Sequence, residues 1–116
     1  MRVVHDPGAG DPRPLATDVG IADSVLSRGR GLMFRRSMPE DYALVFEFGR
    51  VGRRNVHMVF VPFPIDVLWL ENATVVAVER LSPWTGLATH RADTLIELPA
   101  GAADGVEEGD DVRVEP

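Results

Sequence analysis

Fifteen consecutive residues, Val56 to Leu70, read VHMVFVPFPIDVLWL. So apolar a run belongs in a core, yet Pro62 and Pro64 forbid both a continuous helix and an unbroken ladder. The chain here is two strands with a bend between them. The run is too short and too interrupted to cross a bilayer as a helix. It carries one carboxylate, Asp66. Unpaired burial of an acid is costly or drives its pKa upward. Asp66 is therefore either a structural hydrogen-bond hub or the floor of a site.

The flanking sequence repeats the same short-strand pattern. Strands are expected at 2–5, 15–21, 42–48, 55–61, 67–71, 74–81, 93–98 and 111–115, with turn residues between them. GRVGR at 49–53 has the glycines of a hairpin turn, and Asn72-Ala73 is a second tight turn. Asp23 or Ser24 can cap a short helix ending at Gly29 or Gly31, and PAGAAD (99–104) has room for one helical turn. The fold class is mainly β: a compact single domain, residues 1–116, forming a β-barrel or sandwich with one or two short helices. A closed sheet would leave no exposed edge.

Composition narrows the chemistry. There is no cysteine, which excludes disulfides and thiolate sites. All 12 basic residues are arginine against 18 acids, for a net charge of -6. A salt-accumulating halophilic cytoplasm would select such a chain, and codon bias toward arginine is the alternative. No secretory leader is visible, so the expectation is a cytoplasmic protein without membrane contact. Seven arginines fall within 28–54, while eight acids fall within 92–116. The acidic balance and the lack of aromatic interleaving argue against nucleic acid.

An ordered set of anchors resembles a known family. These are GLMFR (31–35), HMVFVPFPIDVLWL (57–70), IELPAG (96–101) and a Gly-Asp turn before a valine-rich final strand. Together they resemble domain-of-unknown-function family 192, an uncharacterised family, from about residue 15 to the end. The resemblance implies a compact, mainly β barrel or sandwich and no established activity. Gly31, Leu32, Met33, Arg35, Met58, Pro64, Asp66, Glu97 and Gly101 meet its recurrent positions. His57 stands where many members carry tryptophan, and Phe60-Val61 where they carry an Asn-Thr pair.

The candidate ligand-binding residues are Arg35, Asp66, Trp84 and Glu97. Arg35 is the arginine expected to pair with Asp66. Trp84 either plugs one end of the barrel or offers a ring for a planar ligand or a sugar. His5, His57 and His90 are scattered, the acidic stretch 104–111 lacks the EF-hand pattern, and no cofactor or metal motif occurs. No catalytic residue is assigned. Three roles stay open: a binding or accessory module for a small ligand or partner, a small hydrolase-like enzyme using Asp66 as acid or base, and an interaction protein using the arginine-rich hairpin.

Overall fold

A computed structural model describes residues 1–22, 32–33 and 35–116. Eight strands are present: β1 (Arg2–Asp6), β2 (Arg13–Ala16), β3 (Asp18–Ile21), β4 (Tyr42–His57), β5 (Ile65–Glu71), β6 (Thr74–Leu81), β7 (Leu87–Pro99) and β8 (Asp111–Glu115). They form one sheet in the order β2-β1-β8-β6-β5-β7-β4-β3. All pairings are antiparallel except β3 with β4. The two end strands of this sheet, β2 and β3, are neighbours in sequence with Thr17 alone between them. A sheet whose opposite edges are joined by one residue must curl until those edges meet, and the N–H groups of Thr17 and Asp18 both donate to the Asp41 carbonyl at the junction. The sheet is therefore barrel-like, and its two faces differ.

Side-chain alternation assigns the faces. Val3, Ala43, Val45, Leu68, Leu70, Ile96, Leu98 and Val112 form the cluster inside the curl. Leu44, Phe46, Ile65, Val67, Trp69 and Leu95 form a second cluster on the outer face. β5 is buried from Ile65 through Leu70 because it lies between β6 and β7 with a core on each side. This explains the near-continuous apolar run that opens the sequence.

Three expectations are corrected. GRVGR (49–53) does not turn the chain. β4 continues through it and pairs with β7 on both sides, Leu44–Glu47 before and Gly52–His57 after, so residues 48–51 bulge from a single long strand. Gly49 supplies the positive φ of 78° that the bulge requires. The expected strand 15–21 is two strands, broken at Thr17 where pairing switches from β1 to β4. PAGAAD forms successive tight turns, with Ala102 N–H donating to Pro99 O and Asp104 N–H to Gly101 O, not a helix. The helix expected from Asp23 or Ser24 lies outside the described residues.

Candidate binding pocket around Glu97

The four residues singled out by sequence divide between the two faces of the sheet. Asp66 pairs across β7 with Leu98, whereas Glu97 stands opposite Val67 and Leu44. Residues directly opposite in a ladder share a face, so Asp66 points to the inner face and Glu97 to the outer one.

Asp66 is 3% exposed and fully engaged. Its partner is Arg80 on β6, directly opposite in the register, not Arg35. Arg80 Nε donates to Oδ1 at 2.8 Å and Nη2 to Oδ2 at 3.3 Å. Oδ2 also accepts the backbone N–H groups of Gly101 and Ala103, at 2.9 and 3.0 Å. Ala103 and Val106 belong to the inner core. The carboxylate thus pins the 100–106 turns over that core, and the ion pair raises the Arg80 pKa still further, first through the Asp66 hydrogen bond. With four donors on two oxygens, Asp66 has the hydrogen bonding of a structural hub.

Glu97 is the opposite case. It is 6% exposed, and its Oε1 has no hydrogen-bond partner among the described residues. Burial pushes its pKa up to about 7, while the Arg35 charge pulls it the other way. Arg35 is thus brought to Glu97 rather than to Asp66, and its guanidinium lies 5.3 Å from the centre of the Tyr42 ring. Glu97 lines a cavity of about 240 Å³. Leu32, Phe46, Val56, Val61, Ile65 and Leu95 supply apolar walls, and Arg53, Arg54, Asn55 and His57 supply polar lining. Arg54 is set by the bulge: its guanidinium lies 3.9 Å from the Phe48 ring centre, with Nε donating to Ala92 O and Nη2 to Arg50 O. Apolar walls with a few polar groups are the usual makeup of a small-molecule site.

Trp84 is not among the residues lining this cavity. It is 56% exposed, which does not suit a plug, and sits at φ 65°. Its N–H donates to Val61 O, and Met58 N–H donates to Gly86 O, so the 58–61 and 82–86 loops are stitched together. Among the described residues no group of three His, Asp or Glu side chains could hold a metal ion.

Arg80 and the bulge were not singled out by sequence reasoning, and Arg54 entered it only as one arginine of the expected hairpin. Counting outward from the Asn72-Ala73 turn pairs Asp66 with Glu79. A register shift between Trp69 and Leu70 moves the pairing by one and places Arg80 there instead. The Arg54–Phe48 stack likewise needs the bulge, which brings together two residues on one strand.

With this geometry in place, comparison with known proteins decides the family. The description "Uncharacterized ACR", domain-of-unknown-function family 192, matches residues 8–114. The chain belongs to this family. A UPF0127 protein of Pyrococcus horikoshii is 38% identical over 102 residues, covering 83% of this chain and 86% of that protein. A UPF0127 protein of Thermococcus kodakarensis is 37% identical over 98 residues, covering 79% of this chain and 61% of that protein. Among solved structures, a Sinorhizobium meliloti protein described as a candidate transcription regulator superposes with a TM-score of 0.85 at 27% identity, covering 97% of this chain and 91% of that one. A protein of unknown function from Novosphingobium aromaticivorans has a TM-score of 0.81 at 18% identity, covering 98% and 84%, a likeness of fold. Both solved structures share the curled sheet seen here.

Proposed function

We propose that this family member is a small-ligand binding module whose site is the cavity beside Glu97. The observation that carries this reading is the Oε1 of a buried glutamate, unpartnered among the described residues, lining a concave cavity with both polar and apolar walls. Leaving a buried polar atom unpaired is costly, and such an exception calls for a reason. A ligand that completes the hydrogen bond supplies one. Asp66, by contrast, offers no such vacancy, so acid–base chemistry at Asp66 finds no support in its surroundings. The arginine-rich segment is part of a paired strand, which removes the protruding hairpin from the interaction reading. A net charge of -6 also weighs against carrying the regulator description of the Sinorhizobium protein over as direct DNA contact.

The absence of lysine and the acid excess support a cytoplasmic site of action in a salt-accumulating cell as part of the same proposal. No helix among the described residues is long and apolar enough to cross a membrane.

Amide-detected screening of a library of small carboxylates, amides and amines tests the site. Shifts are expected to cluster at Val56, Leu95 and Glu97. Shifts confined to the Phe60 and Trp84 loops, or no shifts at all, would contradict the assignment.

A further inference from the structure

Beyond β5 the sheet narrows to a two-stranded ribbon. Among the described residues β7 pairs with β5 only from Thr94 to Pro99, and its stretch 87–92 pairs with residues 52–57 of β4 alone. One face of the ribbon is covered, with Val56, Ala88 and Ala92 packed into the outer cluster. Alternation turns Arg53, Asn55 and His57 of β4 and Leu87, Thr89 and Arg91 of β7 to the other face, and all six are exposed. Residues 53–57 border the Glu97 cavity, yet the side chains of 53, 55 and 57 face away from it. Asn55 Nδ2 donates to Thr89 Oγ1 at 2.8 Å, which joins the two rows into one surface. Arg53 and Arg91 stand directly opposite each other in the ladder. Like charges so placed repel, and neither side chain has an acid or other partner among the described residues. In a chain of 18 acids and 12 arginines, this repulsion is a cost that nothing described within the protein relieves. Four residues along the ribbon the surface turns apolar. Leu87 is 67% exposed, and Val59 and Trp84 are exposed on the stitched loops just beyond.

We propose that this face docks an extended segment of a partner protein, acidic at one end and apolar at the other, with its carboxylates on Arg53 and Arg91 and its apolar side chains on Leu87 and Trp84. Charge complementarity selects the acidic end, and guanidinium–carboxylate hydrogen bonds hold it at contact distance, where salt screens least. From the arginines to Leu87 the strip spans about 14 Å at the usual rise of a strand. With the loops beyond, it matches an extended peptide of about six residues. A nucleic acid would present a phosphate at every step, whereas the strip has its arginines at one end, a neutral Asn55–Thr89 pair in the middle and apolar groups at the other end. The net charge of -6 opposes a uniform polyanion as well. Such a strip is smaller than a standard protein interface, so the complex is weak and transient. The strip and the Glu97 cavity are separate sites, and neither proposal needs the other.

The end-capped hexapeptides LFSTEE and LFSTQQ, and hexauridylate, are each titrated into the full chain to about 2 mM while the backbone amides are followed. LFSTEE is expected to shift the amides of Arg53, Leu87, Thr89 and Arg91. It should bind about fivefold more tightly than LFSTQQ, the worth of two exposed ion pairs. The double variant Arg53→Gln with Arg91→Gln should bind the two peptides alike, and Leu87→Ser should weaken both. Because the facing arginines repel in the free protein, Arg91→Gln alone should raise its melting temperature, whereas a purely structural arginine would lower it when replaced. Equal binding of the two peptides to the wild type, tighter binding of hexauridylate, peptide affinity unchanged in Leu87→Ser, or a lower melting temperature of Arg91→Gln would each overturn the proposal. So would the failure of every probe to shift these amides. None of these results bears on the Glu97 cavity, whose reporters are Leu95 and Glu97. The spectrum of each variant without probe confirms its fold, so loss of binding is read only on folded protein.

Discussion

Two buried carboxylates one strand apart have opposite fates, and the difference lies in what each one faces. Asp66 meets Arg80 and two backbone N–H groups, whereas Glu97 has a side-chain oxygen with no donor among the described residues. Asp66→Asn would turn an amide N–H₂ or a weaker carbonyl toward those donors. Arg80 is 54% exposed, so the ionic part is screened and most of the loss comes from the turn. Denaturant unfolding should show a destabilisation of about 2–3 kcal/mol. For Glu97 the folded pKa, about 7, lies above the ordinary glutamate value of 4.5. A raised folded pKa means that the native state holds the proton more tightly, so its stabilising effect is full at low pH and is lost as the pH rises through 7. Between pH 5 and pH 8 this group alone costs about 2–3 kcal/mol, an order-of-magnitude figure. Glu97→Gln should abolish that slope, seen as a stability gain over wild type that is larger at pH 8 than at pH 5. Asp110 and Glu115 act elsewhere: their pKa values are lowered, Asp110 first by the Glu107 N–H and Glu115 first by Arg113, so their contributions vanish as the pH falls below the usual carboxylate range. That a lone acid in an apolar run needs a partner was legible at Asp66. The identity of the partner was not, because a one-residue shift in the β5–β6 register decides between Glu79 and Arg80.

At the scale of elements, turn chemistry was legible where it is local and illegible where pairing overrides it. Asn72-Ala73 does close β5 onto β6, with φ of 51° and 67° at the two residues. Both positive angles fit the tight turn that asparagine-glycine favours, and alanine is the strained member. Ala73→Gly should therefore stabilise the protein by up to about 1 kcal/mol in thermal or denaturant unfolding. Gly49 has the same glycine signal but sits in a bulge, because β7 is 13 residues long and holds β4 on both sides. Nothing local in GRVGR distinguishes a bulge from a hairpin. Gly86 shows a third use of glycine: a Cβ there would lie 2.7 Å from Met58 Cγ, 2.8 Å from Leu81 Cβ and 2.8 Å from Ser82 O. Gly86→Ala must push apart the stitched 58–61 and 82–86 loops. A loss of about 1–3 kcal/mol is expected, with amide shifts spreading through both loops.

For the whole molecule, the mainly β class followed from the spacing of apolar runs and turns; the strand count matches only because the split at Thr17 offsets the merging of 42–48 with 55–61 into β4. Closure was expected as one of two alternatives, but the way it is achieved was not legible, because it depends on Thr17 joining the two outermost strands, a long-range consequence of strand order. The same order set the candidate site apart from expectation. Arg35 and Glu97 come together, Asp66 lies on the other face, and Trp84 stands on an exposed loop; parity along each strand fixes the first division only once the register is known. The proposed halophilic origin is a property of the whole surface, and it predicts that the melting temperature rises from roughly 0.1 to 2 M KCl as like-charge repulsion is screened. A flat profile would leave codon bias as the cause of the missing lysine. The central claim is that Glu97 is a buried acid held in reserve for a ligand. Its most direct measurement is a carbon-detected NMR titration of the Glu97 side-chain carboxyl in the unliganded protein. A midpoint near 7 is predicted, as burial without a partner requires. A midpoint in the ordinary range of a solvated glutamate, about 4.3, would contradict the account.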